Sequence, residues 1–131
     1  RQRLEHAGVS RLDPRVGVLV TAVGSSHAQA NARTAGVARE LTLTTRWTAT
    51  TAFATGPHPT PAEAAEVLRS GGASRLVIAP WFLAHGRITD RVADFAAAQG
   101  IPMASPLGAH RLVAETVLDR FDAALALSVA A

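Results

Sequence analysis

Three histidines, His27, His58 and His85, recur at similar places along the chain, each in a short loop-like stretch that follows an apolar or β-prone run. A neutral imidazole ligates divalent metals and exchanges its proton near neutral pH. Imidazoles brought to one rim of a sheet could therefore bind a metal or move protons. One loop histidine needs no such role, but three in successive strand-to-helix units make a candidate site. No two of the five histidines stand four residues apart on a helix, which excludes a metalloprotease-like ligand pair.

The first of these loops is Gly24-Ser25-Ser26, inside "VTAVGSSHAQANA". It has too few glycines and no lysine for a phosphate-binding P-loop, and a lone glycine cannot fill the three roles of a dinucleotide fingerprint. The hydroxyls of Ser25 and Ser26, at the start of a helix, can still hold a carboxylate, because helix-start amides attract anions. Arg87 and Arg91 in "HGRITDRV" add guanidinium forks that suit the same group, with Asp90 and Asp94 close by in sequence to compete for them. Asp119 and Asp122 read as solvated helix positions, and Trp47, Trp81 and Phe82 read as core.

Such residues need a scaffold, and the hydrophobic pattern supplies one. "VGVLVTAV" from Val16 is almost unbroken apolar and β-branched, as a strand buried on both faces is. Ser25 and Ser26 provide a helix cap, and a helix is expected from Ala28 to Leu41. The threonine-rich run from Leu43 to Phe53 favours a second strand, and "ATGPHPT" a loop. Thr60-Pro61-Ala62-Glu63 is a capping box with proline at the first helical position, opening a helix that Gly71-Gly72 ends. Arg75 to Leu83 reads as a third strand, Asp90 to Gln99 as a helix and Ile101 to Ser105 as a fourth strand. From His110 to Leu127, apolar residues at positions 113, 117, 121 and 125 mark a last helix. Strands alternating with helices predict an α/β fold, a four-stranded parallel sheet with helices on both faces. Residues 1–14 lack periodicity and end at Pro14, so a lead-in or linker is expected there and a single α/β domain over 15–131.

Composition narrows the function. The 131 residues suffice for one domain, 48% are apolar, and no apolar run reaches the roughly 18 residues of a membrane span. Cysteine is absent, which rules out disulfides and thiolate-held metals within this stretch. All 13 basic side chains are arginines, set against 10 acidic ones for a net charge of +3. That balance, with no basic run, suits an acidic small molecule and argues against nucleic acid. No basic stretch leads into an apolar segment as in a signal peptide, so a cytoplasmic location is expected. The chain begins at Arg1 and its one methionine is Met103, so a preceding segment is expected.

Three stretches, "VLVTAVGSSHAQANA", "RLVIAPWFLAHGRITDRV" and "ASPLGAHRLVAETVLDRF", together resemble the small class II tetrapyrrole chelatases, the sirohydrochlorin and cobalt chelatases of the CbiX type. The resemblance spans roughly residues 16 to 122. It implies a flavodoxin-like chelatase half that inserts ferrous iron or cobalt into a precorrin-derived macrocycle, in siroheme or cobalamin biosynthesis. The divalent metal would be a substrate, with no tightly bound cofactor. The partners it implies are a small-molecule tetrapyrrole and either a second copy, as a homodimer, or a second chelatase half in tandem. Neither nucleic acid nor membrane is implied. On this resemblance His85 and His27 are candidates for metal and proton handling, with His58 a third metal candidate. Ser25, Ser26, Arg87 and Arg91 are candidates to anchor the macrocycle's carboxylates. The sequence departs from the family at two places. Where the family usually has a histidine before the loop glycine, this chain has Val23, and where a second histidine is expected beyond the "FLAHG" turn it has Ile88 and Thr89. The alternative expectation is therefore a non-catalytic half-domain serving folding, dimerisation or substrate binding.

Overall fold

The computed structural model describes residues 1–129; residues 130 and 131, which end the expected domain, lie outside the described residues. Three parallel strands form the sheet: β1 (Val16–Ala22), β2 (Thr48–Phe53) and β3 (Arg75–Pro80), in the order β2-β1-β3. The helices are α1 (Gln2–His6), α2 (Ala28–Thr44), α3 (Pro61–Ser70), α4 (Arg87–Ala98) and α5 (Arg111–Val129). None of the described helices is long and apolar enough to cross a membrane.

Every residue of the central strand β1 is buried, because its alternate side chains enter two separate cores. Val16, Val18 and Val20 pack with Leu4 of α1, Ala38 and Leu41 of α2 and the indole of Trp47. Leu19, on the opposite face, packs with Ala64, Ala65 and Leu68 of α3 and with Val92 and Ala96 of α4. The period of two along a strand thus places helices on both faces. Gly17 is needed on the α3 side, since a Cβ there would lie 2.7 Å from Ala73 Cβ and 2.8 Å from Leu76 Cδ2. Leu19 and Ile78 have no exposed surface, and truncating either to alanine would cost about 2–5 kcal/mol.

The expected fourth strand is reduced to one bridge, Ile78 to Met103. Ile78 N–H donates to Pro102 O (2.8 Å) and Ala104 N–H donates to Ile78 O (2.9 Å). Extending that ladder would require N–H donors from Pro102 on one side and from Pro80 and Pro106 on the other, and proline has none. Four strands in the pattern become three in the sheet for that reason.

Several boundaries also shift: β3 ends at Pro80, before the expected Leu83, and α4 opens at Arg87, one turn before the expected Asp90. Helix α2 continues to Thr44, three residues beyond the expected Leu41, and the strand starts only at Thr48. The threonines at the join are satisfied within the helix: Thr42, Thr44 and Thr45 hydroxyls donate to the carbonyls of Ala38 (3.3 Å), Glu40 (2.8 Å) and Leu41 (2.7 Å). The lead-in, residues 1–14, carries α1 and places Leu4 and Val9 in the core beside Trp47, whose indole N–H donates to Ser10 O at 2.8 Å.

Helix α5 is the exception to the packing. It buries none of its side chains, and Val117, Leu118, Phe121 and Leu125 of its apolar stripe are exposed.

Candidate functional site

The carboxyl ends of β1 and β2 open onto a cleft of about 590 Å³, lined by Gly24, Ser25, Ser26, Ala28, Asn31, Thr55, Gly56 and Pro57. Its two walls are loops held together beyond the end of the sheet. Ala54 N–H donates to Ala22 O (2.8 Å), and Thr55 gives Val23 O both its N–H (3.1 Å) and its hydroxyl (2.6 Å). The approach is close enough to demand glycine. Gly24 has φ of +94°, and a Cβ built on it would stand 1.7 Å from the carbonyl oxygen of Gly56.

Asn31, in the first turn of α2, fixes the shape of the serine loop. Its Oδ1 accepts from Ser25 N–H (2.9 Å) and its Nδ2 donates to Ser25 O (2.7 Å), clasping both polar groups of one peptide residue. Ser25 Oγ in turn accepts from His27 N–H (3.1 Å), so the serine turns the chain one step before the helix. The N-cap itself is His27, and its side chain makes no capping bond. The serine hydroxyls thus shape the loop, whereas the sequence suggests that they cap the helix. Ser25 keeps its O–H proton for an acceptor in the cleft, beside the positive end of α2. Asn31 is the site residue that the motifs passed over. Its signal was present: an asparagine in the opening turn of a helix, where its side chain competes with the helix for backbone partners.

The other sequence candidates are distributed more widely. His27 follows the cleft residue Ser26, and His58 follows Pro57, so both flank the cleft. His58 is already engaged, with Nδ1 3.1 and 2.8 Å from the two carboxylate oxygens of Glu63. That bond raises the His58 pKa above its ordinary value and draws Glu63 down to about 2. Glu63 also accepts from Thr60 N–H (2.8 Å) as the return arm of the capping box, which ties the cleft loop to the start of α3. His85 is exposed in the loop after β3. Arg87 is exposed at the start of α4, while Arg91 lines a separate groove of about 240 Å³ with Thr60, Pro61 and Phe95. Ser25 and Ser26 therefore share one cleft and Arg91 faces another. Among the described residues, no three histidines or carboxylates gather into a group that could hold a metal ion.

The two departures from the family pattern have clear positions. Val23 is 40% exposed at the lip between β1 and the cleft. Thr89 is buried, its Oγ1 accepting from Gly86 N–H (2.6 Å) and donating to Gly86 O (2.6 Å), so it serves to start α4.

A parallel sheet wound on both faces, with a cleft outside the carboxyl ends of its strands, defines an α/β protein whose strand-end loops lie where open sheets of this kind bind their ligands. Residues 17–124 match the CbiX family, and the chain belongs to that family, of the class II chelatase type. The fold agrees with a crystal structure at 1.60 Å of a CbiX protein from Marinobacter aquaeolei VT8 assigned to cobalamin (vitamin B12) biosynthesis. The TM-score is 0.71 at 20% identity, over 86% of this chain and 97% of that one. Comparison with curated proteins gives no match.

Proposed function

We propose that this chain serves tetrapyrrole metallation as the macrocycle-holding half of a sirohydrochlorin-type chelatase, working with a second half or a second copy. Ferrous iron or cobalt and a carboxylate-edged, precorrin-derived macrocycle are the substrates of that reading. The observation that carries it is the identity of two positions. Val23 stands where the family resemblance calls for one imidazole, and Ile88 and Thr89 fill the neighbourhood of the other, with Thr89 committed to the start of α4. The holding function stays in place. The Ser25 and Ser26 hydroxyls and the head of α2 offer a carboxylate charge-assisted hydrogen bonds, each worth roughly 1.5–3 kcal/mol.

A second reading, catalysis by this chain itself, is favoured by His27 and His85, which sit in the loops after the adjacent strands β1 and β3. There the imidazoles would bind the incoming metal and accept the pyrrole protons it displaces. Anaerobic cobalt insertion into sirohydrochlorin, followed by absorbance with and without the protein, separates the two. The holding half binds the macrocycle and leaves the insertion rate at that of the protein-free control. Acceleration that disappears in His85→Ala establishes the second reading. Absence of both binding and acceleration refutes both.

A further inference from the structure

The positive charge of the chain is gathered at the end of the sheet opposite the Ser25 cleft. Arg11, Arg15, Arg46, Arg69 and Arg75 stand at the amino ends of the strands or in the last turn of α3, all of them exposed, and Asp13 is the acid placed among them. The other eight arginines are outnumbered by nine acidic side chains, so the net charge of +3 resides at this pole.

Two of the five arginines are accounted for locally. Arg15 closes on Asp13 through Nε (2.9 Å) and Nη2 (3.0 Å), and Arg69 sits at the end of α3, where the helix dipole favours a cation. Arg11, Arg46 and Arg75 form no ion pair among the described residues. Their backbone fixes them side by side. Arg46 N–H donates to Arg11 O (2.9 Å), while Ser74 and Arg75 N–H both donate to Arg15 O (3.1 Å). The turn between is pinned by the Trp47 indole N–H on Ser10 O (2.8 Å) and by Arg15 N–H on Asp13 (3.0 Å). Neighbouring strands lie roughly 4.8 Å apart, so the amino ends of β2, β1 and β3 span about 10 Å.

Apolar side chains stand beside these guanidinium groups. Leu12, next to Arg11 in the turn, is 65% exposed, and Leu43, in the last turn of α2 and three residues before Arg46, is 69% exposed. Guanidinium groups with leucines between them match a segment that carries both carboxylates and apolar side chains. Nucleic acid fits less well. Asp13 keeps its charge, its carboxyl drawn down to about 2 by the hydrogen bonds from Arg15. The indole behind the turn, Trp47, is 1% exposed and offers a base no stacking face. The sequence reads Trp81 as core too; it is 44% exposed, but beyond the carboxyl end of β3 and away from this pole.

We propose that this pole docks an acidic polypeptide segment of a partner protein, its carboxylates paired with Arg11, Arg46 and Arg75 and its apolar side chains covering Leu12 and Leu43. The seven residues of β1, roughly 23 Å of extended chain, separate the pole from the Ser25 cleft, so docking leaves the cleft open. The surface is independent of what the cleft holds.

The test follows the fluorescence anisotropy of a labelled oligoglutamate with leucine at every fourth position, added to the full chain at low salt. Saturable binding is expected, weakening as salt rises and screens the exposed charges. Arg11→Gln, Arg46→Gln and Arg75→Gln should each lose about twofold to fivefold in affinity, and Leu12→Ser about threefold. Arg33→Gln, in the first half of α2, should lose nothing. All five side chains are exposed and the turn is held by other groups, so the substitutions leave the fold in place. Absence of binding overturns the proposal, and so does an equal loss in Arg33→Gln, which marks unspecific attraction to charge. Tighter binding of a short DNA duplex or of phosphatidylserine vesicles through the same arginines overturns the acidic polypeptide as occupant. None of these outcomes bears on the cobalt insertion assay, so the two readings fail separately.

Discussion

Replacing Gly24 by alanine tests how the cleft is built, and Gly72 provides a matched control. Both glycines have nearly the same backbone conformation, φ of +94° and +96°, but a Cβ on Gly72 meets nothing within 4 Å. At either site the left-handed conformation costs an L-residue about 1 kcal/mol. At Gly24 the new methyl would also stand 1.7 Å from Gly56 O, a backbone atom that cannot rotate away. Relieving that contact must part the two cleft loops, breaking the Thr55 bonds to Val23 O. Overpacking of this kind adds about 1–3 kcal/mol, here at the upper end because the obstacle is backbone. Gly24→Ala should therefore lose about 3–4 kcal/mol and Gly72→Ala about 1 kcal/mol. For a domain of this size the thermal midpoint falls about 4 °C per kcal/mol, giving drops of about 14 °C and about 4 °C. Circular dichroism melts and urea titrations of both variants provide the assay. Equal losses, within about 1 kcal/mol, would refute the claim that the close loop-to-loop approach builds the cleft.

Further outcomes follow from the same contacts. Thr60→Ala removes the hydroxyl that accepts from Glu63 N–H and should lower stability by about 1 kcal/mol in denaturant titrations. His58 should titrate by NMR above its ordinary 6.5, and Glu63→Gln should return it towards that value. The raised His58 pKa makes its contribution complete below 6.5 and lost as pH rises through the folded value, while that of Glu63 is complete above 4.5 and lost as pH falls towards about 2. The clasp between the cleft loop and α3 is thus strongest from about 4.5 to 6.5, and loop amide exchange should be slowest in that window. Asn31→Ala should cost about 1–2 kcal/mol and speed hydrogen exchange at the Ser25 amide, with no matching change at amides of β3.

Much of the scaffold was legible in the residues because it rests on local rules. The nearly unbroken β-branched run at β1 reads as a strand buried on both faces, and it is one. Thr60, Pro61 and Glu63 form the capping box that their spacing predicts. Both depend on near neighbours in the chain, where propensity and periodicity act. The family resemblance carried by the strand-end loops was also legible, and the family match over residues 17–124 agrees with it.

What depended on distant partners was not legible. Ile101 to Ser105 has the composition of a strand, but whether it pairs depends on which N–H groups face it, and Pro80, Pro102 and Pro106 remove them. Residues 1–14 have no period of their own, yet Leu4 and Val9 complete the core around Trp47. The stripe at positions 113, 117, 121 and 125 correctly marked a helix, but periodicity cannot say that the stripe is left uncovered within the described residues. The candidate site divided in the same way. Sequence placed Ser25 and Ser26 in a loop after a strand, whereas only the fold gave them Asn31 and Gly56 as neighbours and set Arg91 in a different groove. Local pattern selects the elements because its forces act within a few residues. Tertiary structure decides which elements meet, because hydrogen-bond donors and apolar surface far apart in the chain must be satisfied together.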